Sequence, residues 1–192
     1  MNKSTTLNRG FLFKMQQAGS GLEIFAEAVL NVFSKAMGQY KLRRIRPQDD
    51  EKVSELIKKI LLERGGLGIE SLYYDRELSC LSEYYTRDMS RFNVLTYQEE
   101  IIGTVGIGRT EQENICEIKK LYLHKDSRHK GLGKVLFNNA LTQASRMGYE
   151  HCQVTMEIRN ESFYSFLLKN GFKELPHTTN NPYEIQLCKS LN

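Results

Sequence analysis

The stretch Arg128-His129-Lys130-Gly131-Leu132-Gly133-Lys134 places three cationic side chains and two glycines directly ahead of a segment with helical periodicity. The first backbone N–H groups of a helix have no partner within it, and the helix dipole adds about half a positive charge at that end. A phosphate group binds at such a point. Gly131 and Gly133 let the backbone approach the anion closely, while Arg128, Lys130 and Lys134 add charge from the rim. The pattern is not the dinucleotide G-x-G-x-x-G, because Leu136 stands where the third glycine would be. Nor is it a P-loop, since position 128, which would have to be glycine, is arginine. A solvated basic surface is the plain alternative.

The other reactive side chains form no recognisable centre. Cys80, Cys116, Cys152 and Cys188 lie 36 residues apart, but their surroundings share nothing, so no repeat is read from the spacing. There is no C-x-x-C pair, and His124, His129, His151 and His177 do not fall with the cysteines at zinc-ligand spacing, so no metal is expected. Single cysteines in apolar strand-like runs read as reduced core residues of a cytoplasmic protein.

The elements around the loop are readable by periodicity. Tyr40 to Arg46 alternates as a strand, Pro47 breaks it, and Asp49-Asp50 can cap a helix whose face carries Val53, Leu56, Ile57, Ile60 and Leu61. The run from Gly65 to Gly68 stops that helix, and the spacing of Leu78, Leu81 and Tyr85 predicts a second one over Asp75 to Tyr85. Phe92 to Gly108 reads as a β-hairpin about the turn Gln98-Glu99-Glu100, and Cys116 to Leu123 as a further strand. After the glycine loop comes a helix over about Gly131 to Met147, closed by Gly148 as a left-handed cap. A strand over 151–158, a short helix over Glu161 to Asn170 closed by Gly171, and a last strand over Tyr183 to Leu191 complete the order. A hairpin combined with a strand-helix-strand unit requires a mixed sheet, with 116–123 and 151–158 as its parallel pair.

Length and charge bound what this site serves. A chain of 192 residues is expected to form one core of ordinary size, and no apolar run reaches the ~20 residues of a membrane-spanning helix. Of the net charge of +4, residues 1–39 carry half, with Lys3, Arg9, Lys14 and Lys35 against Glu23 and Glu27. The nearly balanced remainder lacks the basic stripe expected of a nucleic-acid-binding protein. Within 1–39, Leu22, Phe25, Ala26, Val29, Leu30 and Phe33 recur at helical spacing behind a loose basic leader. That amphipathic extension can dock on the domain or a partner chain, serve through residues 1–21 as a mitochondrial transit peptide, or attach to a membrane surface.

Arg128-x-x-Gly131-x-Gly133 resembles the Arg/Gln-x-x-Gly-x-Gly/Ala signature of the GNAT superfamily of acyl-CoA-dependent N-acetyltransferases, whose loop wraps the coenzyme A pyrophosphate. Asn160 and Gly171-Phe172 resemble a later segment of the family, and the element order from Tyr40 to Leu191, about 150 residues, is similar to that of its fold. The resemblance implies an α/β (α+β) class: a mixed, mostly antiparallel central sheet with a splayed parallel pair, flanked by helices. It divides the chain into an extension, 1–39, and an N-acetyltransferase domain, 40–192.

The implied reaction is direct transfer of an acetyl group from acetyl-CoA to an amine. Cofactor contacts fall on Leu121, Tyr122 and Leu123 of the first parallel strand, on Arg128, His129, Lys130, Gly131, Leu132, Gly133 and Lys134 of the loop, and on Asn160. Backbone N–H groups near Leu121 and Leu123 would bind pantetheine and the thioester carbonyl. The amine must lose a proton before it attacks, because an unperturbed lysine-like ammonium has a pKa of about 10.4. Glu117 is the implied general base, with a carboxylate paired to Lys119 as the plain alternative. Relatives commonly place a tyrosine acid four residues before the glycine of the Gly-Phe pair; here that position is Leu167, and Tyr164 lies a turn away. Tyr164 is the catalytic candidate, against a packed aromatic with a wet hydroxyl. His129 stands where many relatives have glycine.

The acceptor side falls on Arg64 to Asp75 and Glu174 to Glu184, where Tyr73, Tyr74 and Tyr183 can line a pocket and Glu70, Asp75 or Glu184 attract a cationic amine. A small-molecule amine is the preferred acceptor and a protein amine the alternative. A non-catalytic acyl-CoA sensor is the rival from another class. The expected partners are acetyl-CoA, the amine and, optionally, a second copy of the chain in a homodimer.

Overall fold

The computed structural model describes residues 40–63, 76–86, 89–176 and 181–191. The expectations for 1–39, for the glycine run 65–68 and for the whole of the first acceptor segment, 64–75, lie outside the described residues.

Among the described residues, seven strands form one sheet in the order β1-β2-β3-β4-β5-β7-β6. They are β1 (Tyr40–Arg44), β2 (Arg91–Tyr97), β3 (Glu100–Arg109), β4 (Ile115–Leu123), β5 (His151–Glu157), β6 (Lys173–Leu175) and β7 (Glu184–Ser190). Every neighbouring pair is antiparallel except β4 and β5, the parallel pair expected from the strand-helix-strand unit. The β2–β3 hairpin turns on Gln98 and Glu99, both at positive φ, as a two-residue turn matched to strand twist requires.

Among the described residues, four α-helices flank the sheet: α1 (Asp50–Glu63), α2 (Leu81–Tyr84), α3 (Leu132–Arg146) and α4 (Glu161–Lys169). On one face, Leu132, Leu136, Phe137, Ala140 and Ala144 of α3 and Leu167 of α4 pack with Val105, Ile107, Cys116, Ile118, Val154 and Leu187 of the strands. On the other, Val53 and Ile57 of α1 pack with Leu78, Leu81 and Tyr85 against Phe92 and Val94. The sheet thus lies between two apolar layers, the arrangement that buries both faces of its central strands.

Three sequence expectations need correction. The helix expected over Asp75 to Tyr85 is a 3-10 turn, Arg76–Ser79, followed by the single turn of α2. Cys80 breaks it at φ −149°, and the Ser82 N–H and hydroxyl instead donate to the Asp50 carboxylate at 2.8 and 2.6 Å. Leu78, Leu81 and Tyr85 are nonetheless all buried, so their pattern reported burial rather than a continuous helix. The first strand ends at Arg44 rather than Arg46, although the Ile45 N–H still reaches the Phe92 carbonyl at 3.0 Å. The short strand β6 carried no signal of its own, because strand pairing with β7 makes it a strand.

The cysteine spacing also has a structural consequence. Cys116 and Cys152 are register partners in the parallel pair, both buried as free thiols. Their mutual hydrogen bond and burial push the Cys152 thiol far above the usual range, which makes it inert as a nucleophile.

Candidate active site

The site is built where β4 and β5 part. Their pairing consists of Ile115 with His151, Cys116 with Cys152 and Glu117 with Gln153. Beyond Glu117 the two strands are not paired, and the gap opens toward the glycine loop.

A bulge decides what lines that gap. The β3–β4 register shifts between Thr104 and Gly106, Lys120 takes φ +52°, and the Thr104 hydroxyl donates to the Lys120 carbonyl at 2.7 Å. An extra residue reverses the side-chain alternation of a strand. Cys116 and Ile118 before the bulge, and Leu121 and Leu123 after it, therefore face α3, while Tyr122 packs on the α1 side. The His124 N–H continues the ladder to the Ile102 carbonyl at 2.8 Å. Strand alternation then turns the N–H groups of Leu121 and Leu123 away from β3, toward the gap.

The loop follows as a 3-10 turn, Lys125–Ser127, and then the start of α3. His129 adopts φ +60° and Gly131 φ +81°. Gly131 is the N-cap of α3 and supplies no side-chain cap, and Val135 makes the first bond back to its carbonyl at 3.2 Å. The N–H groups of Leu132, Gly133 and Lys134 are left without partners inside the helix, and no acidic residue occupies its first turn. A Cβ on Gly131 or Gly133 would meet nothing within 4 Å, so the cradle is open. Buried Leu132 anchors it, while His129, Lys130 and Lys134 are exposed at its rim.

Arg128 departs from the rim position expected of it. Its Nε donates to the Leu123 carbonyl at 3.0 Å, and one terminal nitrogen lies 3.6 Å from a Glu63 carboxylate oxygen at the end of α1. That nitrogen is buried without a hydrogen-bond partner. The three open N–H groups of α3, with exposed cations at their rim, suit an oxyanion such as a phosphate.

Glu117 stands at the fork, its side chain 16% exposed. Thr155 donates to its Oε1 at 2.6 Å, the Gln186 amide approaches the same Thr155 hydroxyl at 3.4 Å, and Lys119 lies 3.4 Å from Oε2. Glu117 thus stands at the open end of the parallel pair and is paired with Lys119. Glu157 and Glu184 are register partners on the same side as Thr155 and Gln186, two carboxylates set opposite each other.

Tyr164 and Asn160 have local partners. The Tyr164 hydroxyl donates to Glu174 on β6 at 2.9 Å, and that bond holds the phenol above its usual pKa. Leu167 is fully buried. Asn160 caps α4 by accepting the Phe163 N–H at 3.3 Å through its oxygen, which leaves its amide nitrogen as a potential donor. Of the acceptor candidates, Tyr183 is exposed and Glu184 half-buried, whereas Glu70, Tyr73, Tyr74 and Asp75 lie outside the described residues.

Sequence reasoning missed Thr155, Gln186 and Glu63. Thr155 and Gln186 show a weak signal, polar residues at period two in otherwise apolar strands. Glu63 shows only a misplaced charge, an acid at the C-terminal end of its own helix.

The chain is similar to known acetyltransferases. The model of the acetyltransferase (GNAT) family matches residues 57–172, which span the fork, the loop and α4. The uncharacterized N-acetyltransferase YjgM of Escherichia coli K12 is 31% identical over 115 residues, covering 58% of this chain and 68% of that protein. The paia N-acetyltransferase of Thermoplasma acidophilum, solved in complex with coenzyme A, has a TM-score of 0.67 at 22% identity over 79% of this chain and 98% of its own. An acetyltransferase of Streptococcus agalactiae gives 0.69 at 15% identity, with 79% and 98% covered. The yncA protein of Salmonella typhimurium, solved with acetyl-CoA, gives 0.62 at 15% identity, with 80% and 95% covered. At such identities the solved structures establish the shared fold.

Proposed function

Because the chain belongs to the GNAT family of acetyltransferases, we propose that it transfers an acetyl group from acetyl-CoA to the primary amine of a small molecule by direct attack in a ternary complex. The observation that carries this reading is the open α3 cradle at the end of a β4–β5 pair that parts at Glu117.

The chain's own residues divide the work. The N–H groups of Leu132, Gly133 and Lys134 and the exposed Lys130, Lys134 and His129 receive the pyrophosphate, with Gly131 shaping the turn. The N–H groups of Leu121 and Leu123, beside Tyr122, hold the pantetheine arm as an added strand edge and face the thioester carbonyl. Donors fixed there stabilise the negative charge that gathers on the carbonyl oxygen, each by about 3 kcal/mol in comparable sites. Asn160 donates its amide to pantetheine.

Glu117 takes the proton from the attacking ammonium, directly or through one water, and the opposed Glu157 and Glu184 favour a cationic acceptor nearby. Tyr164 is the candidate donor to the departing thiolate, and to serve it must release Glu174. In this reading residues 40–192 form the transferase domain, residues 1–39 are an appended extension, and the protein works in the cytoplasm, where its thiols stay reduced.

Buried Leu167 at the usual tyrosine position, and a Tyr164 hydroxyl already engaged, favour a second reading: an acyl-CoA-binding sensor without turnover. Calorimetry with acetyl-CoA followed by thiol release over a panel of small amines and lysine peptides separates the two. The enzyme reading expects binding together with amine-dependent thiol release, strongest for a small amine. Release only with peptides would transfer the assignment to a protein acetyltransferase, binding without release would leave the sensor, and absence of binding would remove both.

A further inference from the structure

We propose that Glu63 is a positioning residue for the coenzyme A loop, acting through Arg128; the proposal rests on the coenzyme A reading above. Glu63 is the last residue of α1, on the opposite side of the sheet from α3. Its two carboxylate oxygens lie 3.8 Å from Lys125 Nζ and 3.6 Å from the Arg128 guanidinium, so one acid spans both cations of the turn that follows β4.

Two observations indicate that this acid is not incidental. The first is its cost to its own helix. A carboxylate at a helix C-terminus is opposed by the dipole, and the last turn of α1 holds no basic residue to offset it. It also lies close to a loop suited to a phosphate, where a negative charge repels the ligand. A residue unfavourable on both counts needs a compensating role in the tertiary structure.

The second observation supplies that role. The Arg128 Nε is fixed on the Leu123 carbonyl, the end of the strand edge that faces the gap, while the buried terminal nitrogen near Glu63 lacks any hydrogen-bond acceptor. The carboxylate lies just beyond hydrogen-bond reach: it compensates the guanidinium charge during its desolvation but leaves the nitrogen's donor capacity unspent. Arg128 is thereby held across the junction between strand and loop, keeping the Leu121 and Leu123 donors in register with the open N–H groups of α3. Without Glu63 the guanidinium is drawn outward to water, and the strand and loop lose their common brace.

Calorimetry with coenzyme A on the full chain tests this with Glu63→Ala, Arg128→Ala and the double variant, each also melted with and without coenzyme A. Glu63→Ala is expected to weaken coenzyme A about tenfold without lowering the melting temperature of the free protein, and the double variant to bind no more weakly than Arg128→Ala alone. Glu63→Gln, which keeps the shape and an acceptor oxygen, is expected to fall between Glu63→Ala and the parent. Unchanged or tighter binding by Glu63→Ala, losses that add in the double variant, or a matching fall in the free protein's melting temperature would overturn the positioning role. Failure of the parent protein itself to bind coenzyme A would instead remove the functional reading on which it rests.

Discussion

At the scale of single residues, the site depends on how few groups hold Glu117 in place. Its carboxylate is set by one short bond from Thr155 and one ion pair with Lys119, at the rung where two strands separate. If Glu117 is the base, Glu117→Gln is expected to lower kcat by about 100-fold while leaving calorimetric affinity for acetyl-CoA unchanged. Unchanged turnover would remove it from the mechanism. Thr155→Val, an isosteric change that deletes the donor, is expected to lower kcat by about tenfold with the KM for acetyl-CoA unchanged, and Thr155→Ser to restore it. A Val variant as active as its parent would mean that Lys119 and the strand alone fix the carboxylate. Glu117 and Lys119 were legible as a pair in the sequence because they are two apart on one strand. Thr155 was not, since its contact with Glu117 exists only once residues 38 apart in sequence are brought side by side.

At the scale of elements, the α3 N-terminus and the β4 bulge do most of the positioning. Gly131 sits at φ +81°, where a β-branched residue is strained by about 1–2 kcal/mol. Gly131→Val is expected to lower stability by that amount in urea melts and to abolish detectable coenzyme A binding, because relief of the strain moves the same N–H groups that form the cradle. Retained binding would detach the cradle from this backbone geometry. The helix and its glycine loop were readable from periodicity and spacing. The bulge at Lys120 was not, as its positive φ falls on a lysine that carries no turn signature. Its consequence is large: it shifts Leu121 and Leu123 onto the face that Cys116 and Ile118 began.

At the scale of the whole molecule, the described residues form two apolar layers, one on each face of the sheet, and the entry to α1 is tied to β1 by a nearly buried carboxylate. Asp49 is 5% exposed and accepts from both terminal nitrogens of Arg43, at 2.6 and 2.9 Å, and from the Arg46 N–H at 2.8 Å. The Arg43 hydrogen bonds hold its carboxyl below the usual range. A depressed pKa contributes stability that is complete above the unfolded-state value of about 3.9 and is lost as pH falls through the lower folded value. Asp49→Asn is therefore expected to cost about 1.5–3 kcal/mol near neutrality and to flatten the decline in stability below about pH 4. Urea melts at neutral pH and at successively lower pH check both parts, and an unchanged acid limb would show that other carboxylates govern it.

Taken alone, the sequence determined what is local and periodic: the order of the strands and helices apart from β6 and the broken second helix, the parallel pair demanded by a strand-helix-strand unit, and a glycine turn whose chemistry needs only adjacent backbone N–H groups. These depend on neighbours in the chain, so a linear pattern encodes them. Only the tertiary structure decided what depends on distant segments meeting. It broke the expected second helix by binding Ser82 to Asp50, turned Arg128 inward onto Leu123 and Glu63, and set Thr155 on Glu117. Side-chain hydrogen bonds and ion pairs act over a few ångströms of space whatever the separation along the chain, and no periodicity records them.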